Sequence, residues 1–276
     1  MTLLVEAPPA HELSELLDTI LEQYHYDFRH YALASLRRRV AAALQSLHIA
    51  DVASLRAQVA VDAQLFARLL DFLTVPVSDM FRDPEYYRAL RTHVVPVLRT
   101  YPSLKIWVAG CSTGEEVYSL AIVLHEEDLL ERTMIYATDI NPRSLAKAEA
   151  GIYPLERVRR FTENHQATGA KSSLSAYYSA THGAALFDRK LKKRVVFSDH
   201  SLATDSVFAE VQLISCRNVL IYFDKQLQER ALSLFGEALC RRGFLGLGAR
   251  ETLRFSRPAA DYTELAPNAR IYQRRH

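Results

Sequence analysis

Lys105-Ile-Trp-Val-Ala-Gly-Cys-Ser-Thr-Gly-Glu-Glu116 decides the fold: a strand-like run, Lys105 to Ala109, passes through a glycine-bracketed turn into a helical pattern that continues to Glu127. Glycines at such a junction let the backbone approach a ligand closely, and the helix N-terminus behind them suits a polar or anionic group. Further along, Met134 to Thr138 reads as a strand, Pro142 to Ala150 as a helix, Val211 to Ser215 as a strand and Lys225 to Cys240 as a helix. Phe244 to Gly248 then reads as a strand and Arg270 to Arg274 as a closing edge strand. Strand and helix alternating at this pitch predict an α/β domain built on a doubly wound, mostly parallel sheet covered on both faces.

Upstream the pattern is helical only. Leu13, Leu16, Leu17, Ile20 and Leu21 recur at helical spacing, as do Leu33, Leu36, Val40, Leu44 and Leu47, and Asp51 and Asp62 stand where N-caps of two short helices belong. This predicts a small helical bundle over 1–75. Pro76 ends it, Asp83-Pro84 opens a bridging helix within a linker over 76–102, and the sheet domain fills 103–276. Between about 161 and 198 the rhythm breaks, and Phe187 to Phe197 reads as strands of a small β-subdomain inserted there.

A chain of 276 residues, 49% hydrophobic and 24% charged, can bury a large core. A formal charge of +2 without runs of basic residues gives no reason to expect nucleic acid as a partner. Cys111, Cys216 and Cys240 are odd in number and lack metal-ligand spacing, which points away from a disulfide framework or zinc site and toward a reducing cytoplasm. Glu6, His11, Glu12 and Glu15 replace the basic flank of a leader, and no apolar run approaches the roughly 20 residues of a membrane span. A soluble, unsecreted monomer without metal is expected.

The glycine turn alone does not choose a cofactor, since nicotinamide and flavin sites use similar turns, although the full G-x-G-x-x-G pattern is missing. Asp139, at the tip of the next strand, can accept both hydroxyls of a ribose, or it can cap the helix beginning near Pro142. In Val211-Gln-Leu-Ile-Ser-Cys-Arg-Asn-Val-Leu-Ile-Tyr-Phe-Asp224, an apolar run breaks at Cys216-Arg217-Asn218 and resumes as strand-like residues to Phe223. Polar groups placed there cost free energy unless something binds them.

Together, Ser112-Thr-Gly-Glu-Glu-Val-Tyr-Ser119, Ala137-Thr-Asp-Ile140, Cys216 to Asp224 and Leu73 to Asp83 make the chain resemble, over nearly its whole length, the chemotaxis receptor methyltransferases, the CheR family. The resemblance implies a Rossmann-like methyltransferase fold and S-adenosylmethionine as cofactor, with S-adenosylhomocysteine as product. It implies that the loop of Gly110 and Ser112 with Glu115 or Glu116 meets the methionine end, that Asp139, beside Ile140, holds the ribose, and that Arg217 and Asn218 line the cleft. Tyr222 and Arg82 then face the transferable methyl, as catalytic residues. The chain departs from the family's usual Asn-x-Thr at Pro76-Val-Ser78, so the contact of Pro76 is lost or moved to backbone while Ser78 keeps a hydroxyl. His200-Ser201 stand where Asn-Leu near the adenine is usual, and Gly248-Ala-Arg-Glu251 replaces Gly-His-Ser-Glu.

The resemblance further implies that Arg37, Arg38 and Arg39 dock an acidic helical coiled coil, the cytoplasmic domain of a membrane chemoreceptor. Helical geometry points Arg38 outward, with Arg37 and Arg39 flanking the stripe. In some relatives a receptor's C-terminal pentapeptide adds a strand to the β-subdomain, and Lys190, Lys192, Lys193 and Arg194 suit such a peptide or protect an exposed edge. The expected activity is methylation of glutamate side chains on a receptor. The alternatives are a signalling protein outside chemotaxis as substrate, a cofactor-binding regulatory module with little turnover, and a nicotinamide dehydrogenase disfavoured by the glycine pattern.

Overall fold

The computed structural model describes residues 8–275, so Glu6 lies outside the described residues. The chain divides into two compact units. The first holds α1 (Ala10–Tyr24), α2 (Leu33–Leu47), α3 (Val52–Val59) and α4 (Ala63–Leu73), with Ser201–Asp205 and Ile221–Ala231. Leu13, Leu16, Leu17 and Ile20 of α1 and Leu36, Val40 and Leu44 of α2 are buried, as their spacing predicts, whereas Leu21 and Leu47 are half-buried and Leu33, in the first turn of α2, is exposed. The two aspartates do cap: Asp51 accepts from the Ser54 amide at 2.7 Å, and Asp62 from those of Gln64 and Leu65.

The second unit begins at Val77. It carries α5 (Pro84–Ala89), a π-helical turn (Leu90–Val94) and α6 (Val95–Leu98), followed by β1 (Leu104–Ala109), α7 (Glu115–Glu126), β2 (Thr133–Asp139) and α8 (Pro142–Ala150). Then come β3 (Ile152–Pro154), α9 (Leu155–Gln166), β4 (Tyr178–Thr181), β5 (Ala184–Phe187), α10 (Arg189–Lys192), β6 (Val195–Asp199) and β7 (Val211–Cys216). Helix α11 (Lys225–Ala238) begins in the first unit and ends in the second, which closes with β8 (Leu239–Leu247), β9 (Tyr262–Ala266) and β10 (Ile271–Arg274). Pro96 has no N–H to give the preceding turn, and the helix widens into its π segment just before it.

The main sheet runs β6-β2-β1-β7-β8-β10-β9. Its first five strands are parallel, whereas β10 is antiparallel to both neighbours. Because β2 lies on one side of β1 and β7 on the other, the order reverses between β1 and β7. The loops leaving those two strands therefore flank the crevice where doubly wound sheets bind ligands. No helix among the described residues is long and apolar enough to cross a membrane.

Four expectations are corrected. Val219 to Phe223 does not resume a strand; Leu220–Tyr222 is a 3-10 turn, because Asn218 takes a left-handed φ of 61° that ends the extended path. Helix α11 stops at Ala238, and Cys240 already belongs to β8, which is longer than Phe244 to Gly248. Strand β10 is interior, the edge being β9. The subdomain sheet is β3-β5-β4, with its hairpin turn at His182-Gly183, where φ is 46° and 76°, as a tight hairpin needs. Residues 188–199 instead return through α10 to the main sheet. Lys192 there bonds the Glu149 and Ala150 carbonyls at the C-terminus of α8, not a sheet edge.

A buried ionic cluster joins α7 to the π turn and to α9. Glu126, its side chain 2% exposed, pairs with Arg91 and His165 and accepts from Ser172. Burial alone would raise its pKa, but the donors from His165, Ser172 and Arg91 lower it from 4.5 to about 2. A carboxyl whose folded pKa is depressed contributes stability above its unfolded value and loses it as pH falls through the folded one. Glu126 is therefore expected to contribute about 3 kcal/mol near neutrality. The urea stability gap between wild type and Glu126→Gln should accordingly shrink as pH falls from 4.5 to about 2; a pH-independent gap would contradict it.

Candidate active site

The backbone around Arg82 is strained. Phe81 and Asp83 both take left-handed φ values, 51° and 56°, a conformation that costs a bulky residue about 1–3 kcal/mol unless its surroundings enforce it. Hydrogen bonds do so here: the Ser119 hydroxyl accepts from the Phe81 amide at 2.8 Å, and the Asn164 amide donates to the Met80 carbonyl at 2.9 Å. Arg217 Nη2 donates to the Arg82 carbonyl and to the Asp83 carboxylate, each at 2.8 Å. The Arg82 guanidinium itself, half-buried, makes no hydrogen bond or ion pair among the described residues. The chain thus fixes this residue's backbone while leaving its charge uncommitted.

Arg217 is the hub of that arrangement. Its side chain is 1% exposed, its Nη1 reaches Glu116 at 3.2 Å, and its guanidinium lies 4.2 Å from the Tyr86 ring centre. The Tyr86 hydroxyl bonds Ser215 Oγ at 2.7 Å, and Ser215 donates onward to Glu116 at 2.6 Å. Burial opposes the Arg217 charge, but Glu116, the two tyrosines and Asp83 raise its pKa above the ordinary arginine value. A Cβ on Gly246 would meet the Tyr86 hydroxyl at 2.2 Å, so that glycine makes room for the hub.

At the tip of β1, Gly110 has a φ of 73°, and a Cβ there would meet Val219 at 2.5 Å, so the first motif presses against the third. Asp139 accepts from the Ser112 amide at 2.8 Å and the Asn141 amide at 3.0 Å. The cap of α8 is Asn141, which accepts from Arg143 and Ser144, so Asp139 is not the cap. Burial raises its pKa, against the pull of the Asn141, Ser112 and Ile140 amides. The Ser112 hydroxyl and His200 Nδ1 are buried and without a partner, while His200 Nε2 sits 3.1 Å from the Ser206 carbonyl and the ring lies edge-on to Trp107.

The paired glutamates part company. Glu115 is fully buried and engaged by Thr113 at 2.6 Å and Arg157 at 2.7 Å, and Arg157 also holds the Ser78 carbonyl. Asn218 gives its amide to Glu251 at 2.9 Å, and its side-chain amide makes no hydrogen bond among the described residues. Pro76, Ser201 and Tyr222 belong to the first unit. Ser201 closes a turn by accepting from Ala203 and Thr204. The three arginines also separate: Arg38 is exposed, Arg37 bonds the Pro8 carbonyl at 2.7 Å, and Arg39 is buried, which corrects its place on a docking face. Asp83, Tyr86, Arg157, Ser215 and Glu251 were missed as site residues; only the motif edges at Asp83 and Glu251 offered a signal.

The family model described as CheR methyltransferase, SAM binding domain, matches residues 76–266, and the one described as CheR methyltransferase, all-alpha domain, matches residues 11–74. A Pseudomonas putida relative bearing the name Cher3 is 52% identical over 263 residues, 95% of this chain and 96% of its own. A protein named chemotaxis protein methyltransferase from Listeria monocytogenes is 32% identical over 70% of this chain and 71% of its own. One named chemotaxis protein methyltransferase 2 from Pseudomonas aeruginosa is 34% identical over 69% and 67%.

Proposed function

The chain belongs to the CheR methyltransferase family, an S-adenosylmethionine-dependent group, and from that membership we propose that it methylates glutamate side-chain carboxylates of a chemoreceptor or related signalling protein. The uncommitted guanidinium of Arg82, on a backbone strained and pinned by Arg217, is the observation that supports this reading most.

The residues present fit the cofactor. Asp139 keeps lone pairs for a ribose diol beyond the two amides it accepts, and the orphaned Ser112 hydroxyl and His200 Nδ1 are polar atoms awaiting a partner. Asp139, beside Ile140, would hold the ribose and His200 the adenine, while the loop of Gly110 and Ser112 with Glu116 would meet the methionine end and Asn218 would line the cleft; Ser78 would offer its hydroxyl and Pro76 its backbone. When bound, S-adenosylmethionine supplies an electrophilic methyl group on sulfur. A glutamate acceptor is already ionised near neutral pH, so no general base is needed. Arg82 orients that carboxylate by a charge-assisted hydrogen bond and the Tyr222 hydroxyl holds its second oxygen. Their task is placement, since tighter pairing would stabilise the carboxylate before transfer.

Arg38 on α2 is the exposed cation offered to an acidic receptor coiled coil, where electrostatic docking is fast, weak and salt-sensitive. The outer strand β4 is the edge offered to a receptor's C-terminal peptide. With such partners, the cytoplasm is the compartment we propose.

The test is transfer of labelled methyl from S-adenosylmethionine to receptor-containing membranes. Base-labile label, reduced by about 100-fold or more in Arg82→Ala while S-adenosylhomocysteine affinity changes far less, is the expected result. Tight S-adenosylhomocysteine binding without transfer to any receptor preparation would overturn the receptor reading.

A further inference from the structure

We propose that Arg39 is a positioning residue for Tyr222, clamping the face of the phenol ring so that its hydroxyl is presented to the acceptor. The inference deepens the reading above and rests on it, because it is there that the Tyr222 hydroxyl meets the carboxylate. Arg39 is 9% exposed; its guanidinium carbon lies 4.6 Å from the Tyr222 ring centre, and Nη1 donates to the Leu73 carbonyl at 2.5 Å. Its Nη2 is buried without a hydrogen-bond partner. A guanidinium buried with so few partners is costly, and an apolar side chain would pack the same space more cheaply. What the guanidinium adds is a flat cation on an aromatic face, an attraction that strengthens when water is excluded. Burial lowers the Arg39 pKa, and Tyr222 and Tyr31 oppose that shift.

The rest of the turn is fixed as well. The Tyr222 carbonyl accepts from the Ala32 amide at 2.8 Å, Phe223 bridges to Tyr31 with ring centres 4.9 Å apart, and Asp224 bonds His30 through backbone at 2.8 Å and side chain at 2.9 Å. The Tyr222 hydroxyl, by contrast, makes no hydrogen bond among the described residues. A ring locked by its supports with its polar atom left open is the arrangement a precise donor requires. Helix α2 then carries two tasks: Arg38 faces outward for docking, and Arg39 faces inward to the catalytic turn.

Two measurements test this. Methyl transfer is followed for Arg39→Met, Arg39→Lys, Tyr222→Phe and the Arg39→Met/Tyr222→Phe double variant, with thermal melts and S-adenosylhomocysteine calorimetry. Separately, 3-fluorotyrosine placed at 222 is observed by fluorine NMR in the wild-type and Arg39→Met backgrounds. Arg39→Met should lower kcat about tenfold with cofactor affinity unchanged, Arg39→Lys should recover most of the loss, and the double variant should fall less than about twofold below Tyr222→Phe. The fluorine resonance should shift when Arg39 is lost. Independent, multiplying defects, a Tyr222→Phe enzyme at the wild-type rate, or an unmoved resonance would each overturn the proposal. If the wild type methylates no receptor, the functional reading fails while the resonance still decides the clamp.

Discussion

Arg217→Ala is expected to abolish methyl transfer and to lower the unfolding free energy by about 3–5 kcal/mol, the usual cost of removing one partner from a buried ion pair. Two acidic groups lean on this guanidinium. Glu116 loses the one cation paired with it among the described residues and keeps the Ser215 hydroxyl, and Asp83, whose backbone is left-handed, loses its ion pair. The Arg82 carbonyl is freed at the same time, so the strain at Phe81 and Asp83 can relax and carry the Arg82 guanidinium away. Lysine is a poor substitute: an ammonium cannot reach Glu116 with one nitrogen and Asp83 plus a carbonyl with another while lying flat on Tyr86. Arg217→Lys should therefore regain part of the stability and little of the activity. Urea unfolding and labelled-methyl transfer measured side by side decide it, since a Lys variant with near wild-type activity would mean that positive charge alone suffices.

Why this hub is not legible in the sequence, although Arg217 and Glu116 stand out singly, is a matter of distance along the chain. Cys216-Arg217-Asn218 is conspicuous because it interrupts an apolar run, but its partners Asp83 and Glu116 lie 134 and 101 residues away. The register of β1 against β7 brings Glu116 to Arg217, and α5, held through the Tyr86 hydroxyl on Ser215, brings Asp83. Local signals are legible: the Asp51 and Asp62 caps, the strand–glycine–helix junction at Ala109 to Glu115, and the stripe of α1 all follow from patterns within a few residues. The subdomain strands are expected at Phe187 to Phe197 because that stretch has strand composition, and its outer part, β6, is indeed a strand, but of the other sheet. Arg37, Arg38 and Arg39 are indistinguishable as letters. Their fates diverge because α2 turns about 100° per residue, which brings Arg39 onto the side of Leu73 and Tyr222.

Glu251→Ala is the second large effect expected, and it acts on the same turn from the other side. One carboxylate here takes three backbone amides: Oε1 accepts from Val219 at 2.9 Å, and Oε2 from Asn218 at 2.9 Å and Gly248 at 2.6 Å. Asn218 has a φ of 61°, so the turn that ends β7 is held open by an anion rather than by its own conformational preference. Charge-assisted bonds of this kind contribute about 1.5–3 kcal/mol each, and the three share one acceptor, so the total falls short of their sum. Removing the carboxylate leaves three N–H donors at a site with only 5% exposure, for a predicted loss of about 3–4 kcal/mol. The consequence for chemistry is sharper. If the turn collapses, Val219 moves against Gly110, whose missing Cβ already leaves no spare room, and the two loops of the crevice are disturbed together. S-adenosylhomocysteine affinity should then fall at least tenfold, whereas Glu251→Gln, which keeps one acceptor oxygen, should retain the fold with a smaller loss. Calorimetry of both variants at matched stability, adjusted by temperature, separates the two contributions: an Ala variant that binds normally once folded would make Glu251 a matter of stability alone.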